Sequence, residues 1–321
     1  MTSIYEEDPE LQEIRTRLRA DDGEVRRIAL LDLADCEGDA HVPLMIEALR
    51  DPVAAVRAEA AKALEAFESE ASITGLIAVL GDPDALVREA AAHSLHDLKR
   101  KESAHLLLPH LNHPQPFARV ALLRALRELR VAESFTPALA ALNDPDAAVR
   151  REAVTVLGYL KQPQALAALT ALASCDPETE VRRAAIGALG FAQDDAVLPA
   201  LLLGLVDVAW PVREEAATTI GKLQLRNALD NLIAAMQDGY WQVRLRAARA
   251  LGRLRHPAAL PVLIAALGHQ ISNLRKEAAL ALGEIAAFEA LPALEHIQND
   301  PDPDVRKSAR LAIAQIHAAN G

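Results

Sequence analysis

The stretch Asp144-Pro145-Asp146-Ala147-Ala148-Val149-Arg150-Arg151-Glu152-Ala153-Val154-Thr155-Val156-Leu157-Gly158 decides the fold. Within three residues it stops one helix and starts another. Pro145 cannot continue a helix and disfavours helical backbone at the residue before it. Asp146 stands where an N-cap belongs. Ala153 and Leu157 then follow Arg150 at +3 and +7, the spacing of one buried helix face.

The stretch recurs along the whole chain. A Val-Arg dipeptide or a near equivalent places its arginine at 26, 57, 88, 119, 150, 182, 213, 244, 275 and 306; eight of the nine intervals are 31 residues and one is 32. Such a period marks a stack of supersecondary units. Six residues before the arginine stands Asp51, Asp82, Asp144, Asp176, Asp207, Asp238 or Asp300; His113 and His269 replace the acid in two units and Ala20 in the first. Pro follows at 52, 83, 114, 145, 177 and 301, Asp22, Asp84, Asp146 and Asp302 take the cap position, and Pro116 and Pro303 the first helical position. After the arginine, Ala or Leu recurs at +3, Leu or Ile at +7, and Gly158, Gly190, Gly221, Gly252 and Gly283 at +8, suited to close helix approach or to fraying. A second amphipathic segment precedes each acid, as in Val42–Leu49, Ile73–Leu80, Ala138–Leu142, Leu198–Leu205 and Leu260–Leu267. Each unit is therefore helix A, tight turn, helix B. The extra residue of the long interval is expected in the turn near Ser174-Cys175.

The expected fold is all-α: an α-solenoid superhelix of about ten helix pairs, roughly 20 helices, forming one domain over residues 1–321. Composition agrees. Half of the residues are apolar, mostly Ala and Leu, and only 3% are aromatic, which favours closely packed helices over strands. The terminal units carry the polar outer side that an array end requires. Leu11, Ile14 and Leu18 form one stripe with Arg15, Arg17 and Arg19 outside it, and the last helix carries Lys307, Arg310, Gln315 and His317 before an Asn320-Gly321 stop.

A formal charge of −11 disfavours nucleic acid and anionic membrane as partners. Cys36 and Cys175 are too distant in sequence for a metal motif and indicate free thiols in a reducing compartment. The first residues, Met1 to Asp8, lack a basic and an apolar leader region, and the longest apolar run, Val197–Val206, is broken by Pro199. A cytoplasmic location is expected.

The unit Asp-Pro-Asp-Ala-x-Val-Arg-x-Glu-Ala-x-x-x-Leu-Gly resembles the phycobilisome-lyase type of HEAT repeat, and the resemblance covers essentially the whole chain. It implies that the acid and the arginine form a ladder between successive repeats, giving the pairs Asp51/Arg57 through Asp300/Arg306 a structural role rather than a catalytic one. It also implies that helix B lines a concave surface. The variable positions five past the arginine, Lys62, His93, Arg124, Thr155, Gly187, Thr218, Arg249 and Leu280, would then face a partner.

Repeats seven to nine depart from the template at one turn. They read Asp207-Val208-Ala209-Trp210-Pro211-Val212-Arg213, Asp238-Gly239-Tyr240-Trp241-Gln242-Val243-Arg244 and His269-Gln270-Ile271-Ser272-Asn273-Leu274-Arg275. Both tryptophans of the chain occupy equivalent positions 31 residues apart. Stacked helices lie roughly 10 Å apart, so Trp210 and Trp241 are expected as neighbouring aromatic surfaces beside Tyr240. Exposed Trp and Tyr are enriched at binding hot spots. The candidate partner-binding residues are Trp210, Tyr240 and Trp241, with Arg246, Arg249 and Arg253 as an adjoining basic strip for an acidic partner segment; packing between repeats is the alternative role for the aromatics.

Catalytic chemistry finds little support. His93, His96, His105, His110 and His113 crowd together, and His93/His96 share a helical face that can hold a metal. HEAT-repeat hydroxylases bind iron through His-Glu dipeptides, whereas this chain has only His96-Asp97. No phosphate-binding glycine motif, nucleophile elbow or Cys-His pairing is present. The first reading is a non-enzymatic scaffold, adaptor or assembly factor that binds a protein along its groove, with no catalytic residue, no metal and no cofactor. A second, implied by the resemblance alone, is a bilin lyase or isomerase. Trp210, Tyr240 and Trp241 would then stack on an open-chain tetrapyrrole and the arginines pair with its propionates. Metal-dependent hydroxylation is a third.

Overall fold

The computed structural model describes residues 9–36 and 39–320, so the readings of Met1 to Asp8 and of Gly321 as part of a C-cap fall outside the described residues. Twenty α-helices, with short 3-10 turns between them, and no strand occur among the described residues. The chain divides into two compact units, Met1–Leu160 and Lys161–Gly321.

Each unit holds five helix pairs. In the first, the A helices are Pro9–Arg17, Val42–Ala48, Glu70–Ala78, Ala104–Leu107 and Phe135–Ala141, and the B helices are Gly23–Ala34, Ala54–Ala63, Ala85–His96, Pro116–Leu129 and Ala147–Leu160. In the second, the A helices are Leu166–Cys175, Leu198–Leu205, Leu229–Ala235, Leu260–Ala266 and Leu291–His296. Its B helices are Thr179–Ala188, Trp210–Leu223, Trp241–Leu254, Ser272–Ile285 and Pro303–Asn320. The +3 residues, from Ala29 to Ala309, are all fully buried, and so are the +7 leucines and isoleucines except Ile313, which is half-buried. The repeat's apolar rows are thus the core of both units.

The turns fold as the capping chemistry requires. Asp22, Asp84, Asp146 and Asp302 each accept the backbone N–H two residues on at 2.8–2.9 Å. The preceding acids do the same: Asp51 accepts from Val53, Asp82 from Asp84 and Asp207 from Ala209, each at 2.8 Å. One carboxylate therefore ties the turn while its free lone pairs remain for a cation.

That cation builds the expected ladder between successive repeats, but with other partners than the pairs Asp51/Arg57 through Asp300/Arg306. The acid does not pair with the arginine six residues later in its own repeat. Instead the arginine reaches forward 25 residues to the acid of the next repeat, as a two-pronged bond. Arg26–Asp51, Arg57–Asp82 and Arg119–Asp144 in the first unit, and Arg182–Asp207, Arg213–Asp238 and Arg275–Asp300 in the second, make these rungs at 2.6–3.0 Å. Within its own repeat the guanidinium binds the backbone carbonyl of the acid, as in Arg57 Nη1 to Asp51 O at 2.8 Å. The planar fork of arginine suits this division, since it can hold a carboxylate with one edge and a carbonyl with the other. The Arg57 and Arg275 guanidinium groups hold the Asp82 and Asp300 carboxyls below the usual carboxylate range.

Two further expectations are settled by geometry. Gly221, Gly252 and Gly283 mark close helix approach: a Cβ on each would stand 2.8 Å from the Cα of Ala250, Ala281 and Ala312 on the next B helix. The extra residue of the long interval lies in the last turn of Leu166–Cys175, which stays helical up to Asp176, so a ten-residue A helix takes it up instead of the turn. At the ends, Ile14 is buried while Lys307, Arg310, Gln315 and His317 are exposed. No helix among the described residues is long and apolar enough to cross a membrane.

Candidate partner-binding edge

The departures in repeats seven and eight converge on one turn edge of the second unit. Asp238 accepts the Tyr240 N–H at 2.8 Å and receives Arg213 at 2.6 and 3.0 Å. Burial works against the Asp238 carboxylate, yet the Arg213 guanidinium and the Tyr240 N–H hold it below its usual range. The ladder thus fixes the backbone of Tyr240 immediately before helix Trp241–Leu254. Its ring lies nearly parallel to that of Trp210, with centroids 5.5 Å apart and an interplanar angle of 17°. The Arg213 guanidinium lies 5.6 Å from the Tyr240 centroid. Three groups from two repeats make a cation–aromatic–aromatic stack.

The tryptophans are both half-buried, and the ring that stacks on Trp210 is Tyr240, not Trp241. Tyr240 occupies the cap position one residue before its helix, so it reaches back across the inter-repeat groove. Tyr240 remains 48% exposed. Close to Trp210 in sequence, Leu203, Val206 and Val208 are 58%, 73% and 92% exposed. Sequence reasoning missed these three because the apolar run looked like helix core. The signal was Val208, which stands where most repeats carry the turn proline.

The arginine strip is differently arranged. Arg246 donates to Glu214 at 2.9 Å, and Arg249 makes two bonds of 2.7 Å to Glu277, which is buried. Arg253 is exposed and has no ion pair among the described residues. The guanidinium groups that a bilin propionate would need are thus held by the protein's own carboxylates at two of the three positions. The +5 residues Lys62, His93 and Arg124 are exposed, while Thr155, Gly187, Thr218, Arg249 and Leu280 are half-buried.

Elsewhere the chemistry is sparse. The group of three metal-ligating side chains found among the described residues is Glu65, His93 and Asp97, with ligand atoms within 4.8 Å; His96 is not part of it. Glu65 and His93 are exposed, and His93 Nε2 lies 3.8 Å from Glu65, an ordinary surface pair. Cys36 is half-buried, its thiol donating to the Asp32 carbonyl at 3.4 Å, and Cys175 is exposed; neither is in a disulfide.

These stacked helix pairs with an arginine–aspartate ladder define a HEAT-repeat protein. The HEAT-repeat profile matches residues 11–96, 135–221, 171–241 and 229–314, and the chain belongs to that family. Among solved structures it is similar to YibA of E. coli, with 20% identity, 88% of this chain and 98% of that chain covered, and a TM-score of 0.63. It is also similar to Kap95p, solved with RanGDP, with 14% identity, 95% and 51% covered, and a TM-score of 0.68. The complex of CpcE and CpcF of phycocyanin lyase from Nostoc sp. shows 21% identity over 66% and 94%, with a TM-score of 0.45. At these identities the likeness speaks for the fold. No curated protein matches the chain in sequence.

Proposed function

We propose that this chain is a non-enzymatic protein-binding scaffold, adaptor or assembly factor whose ten repeats act as one array. Its partner docks on the turn edge of repeats seven and eight, against Val206, Val208, Trp210, Tyr240 and Trp241; Arg253, in the last turn of the helix that Trp241 opens, lies away from this edge. The observation that carries the reading is the Trp210–Tyr240 stack, held under Arg213 in a patch where Val208 is 92% exposed. A rigid, part-exposed aromatic pair beside exposed aliphatic side chains is the composition of an interface centre. Covering a fully exposed valine contributes about 1.5 kcal/mol. Kap95p, with the same fold, is a protein that binds another protein, and this parallel supports the reading without naming the partner.

Affinity capture from native extract with mass spectrometry, comparing the wild type with a Trp210→Ala/Tyr240→Ala variant, tests the reading. A dominant partner captured by the wild type and lost by the variant is expected, with helicity and melting retained. A partner list that the variant leaves unchanged would overturn the assignment of the site.

A further inference from the structure

Six rungs of the ladder pair an arginine with a carboxylate 25 residues on, and Arg244 breaks the series. Twenty-five residues after it stands His269. The imidazole reproduces one task of the missing acid, since its Nδ1 accepts the Ile271 N–H at 3.0 Å, and this leaves the proton on Nε2. It cannot perform the other. Arg244 makes a single hydrogen bond, Nε to the Asp238 carbonyl at 2.5 Å, and its two Nη atoms have no acceptor among the described residues. A cavity of about 270 Å³ opens at this point, lined by Arg244, His269, Met236, Val262, Ala266 and Leu274. It is smaller than the usual drug-sized pocket and suits one side chain. Its walls are mostly apolar, and its polar side chains are the Arg244 guanidinium, the His269 imidazole and the Gln237 amide, so the one charge in the lining is positive.

We propose that this cavity is a carboxylate-binding site, and that an aspartate or glutamate side chain of the bound protein completes the rung with Arg244. The inference rests on the protein-binding reading above for the source of the carboxylate, though not for the chemistry of the cavity. The carboxylate takes the two-pronged place that Asp238 and Asp300 fill for Arg213 and Arg275, and His269 Nε2–H supplies a third donor. Tyr240 and Trp241 precede Arg244 by four and three residues, so the cavity adjoins the aromatic patch on the same turn. The pairing is local: the chain's charge of −11 repels acidic segments at long range, and selectivity must come from the guanidinium inside this cavity.

The test uses full-length protein with ¹⁵N-labelled arginine, titrated with N-acetyl-aspartate N-methylamide and, in parallel, with its asparagine analogue. Arg244 Nε and Nη signals should shift saturably with the aspartate probe, with a dissociation constant on the order of millimolar for so small a ligand. The asparagine probe should leave them in place. His269→Asp should abolish the shift and raise the melting temperature, because the protein's own acid then makes the rung. Arg244→Gln should remove the response without raising stability. Equal response to both probes, no saturable response, or an undiminished response in His269→Asp would overturn the proposal. None of these outcomes touches capture by the Trp210 patch, so the two readings fail separately.

Discussion

Histidine replaces the ladder aspartate once in each unit, and the two replacements end differently. His113 and His269 both tie their turn through Nδ1, to the N–H of Gln115 at 3.1 Å and of Ile271 at 3.0 Å. Both leave the preceding arginine without its carboxylate. In the first unit, Arg88 keeps its bonds to the Asp82 and Pro83 carbonyls at 2.7 and 3.0 Å and lies 5.6 Å from the centre of the Phe117 ring. In the second, Arg244 retains one carbonyl and faces a cavity. The residue equivalent to Phe117, two before the next ladder arginine, is Asn273. The ladder acid thus does two separable jobs, tying a turn and holding a cation. Loss of the second opens a site only where no neighbouring ring closes over the cation.

The largest effect should come from breaking a complete rung. Asp82→Asn removes the charge and one of the two carboxylate acceptors that Arg57 uses, and should cost about 2 kcal/mol in chemical denaturation, the worth of a charge-assisted bond. Restoring a rung should act in the opposite direction and more weakly. His269→Asp is expected to add about 1 kcal/mol, and His113→Asp less, because the Phe117 ring already serves Arg88. Exchanging the neighbours sharpens the comparison further: Asn273→Phe should weaken the aspartate probe severalfold at Arg244 with little change in stability.

The smallest effect is one of pH. Burial, and then Arg244 and Arg275, lower the pKa of His269 below its usual value. Its neutral form therefore belongs to the fold. The stability it contributes is complete above about pH 6.5, where the unfolded histidine titrates, and is lost as pH falls through the lower folded value. Protonation also removes the Nδ1 acceptor from the turn. Melting between neutral and mildly acidic pH should decline more in the wild type than in His269→Asp. The Asp82 and Asp300 carboxyls, held down by Arg57 and Arg275, lose their contribution only at more acidic pH, below the usual carboxylate value.

The helix pairs were readable from sequence because a 31-residue period repeats each capping and packing choice, and every +3 residue named from it is buried. A ladder between repeats was expected, but the partner of each arginine was not legible, because an acid six residues from an arginine looks like its mate. A clue lay at the first repeat, where Ala20 precedes Arg26 and only Asp51, ahead of it, can serve as partner. The aromatic edge was half legible. Equal spacing singled out Trp210 and Trp241, but the stacking ring comes from the cap residue Tyr240, whose backbone is placed by Asp238. The basic strip read from Arg246 and Arg249 ignored Glu214 and Glu277, which sit on the neighbouring helices within reach. Side-chain pairing across repeats depends on registry between helices, and a one-dimensional period does not print that registry.

The most direct test of the partner-binding account is calorimetric titration of the captured partner into wild-type protein and into a Val208→Asp/Tyr240→Ala variant, with melting recorded for both. The two side chains are 92% and 48% exposed, so the fold should tolerate the change. The account predicts at least about a tenfold loss of affinity, roughly 1.4 kcal/mol, with the melting temperature held. Undiminished affinity, or a loss that appears only together with a fall in melting temperature, would contradict it.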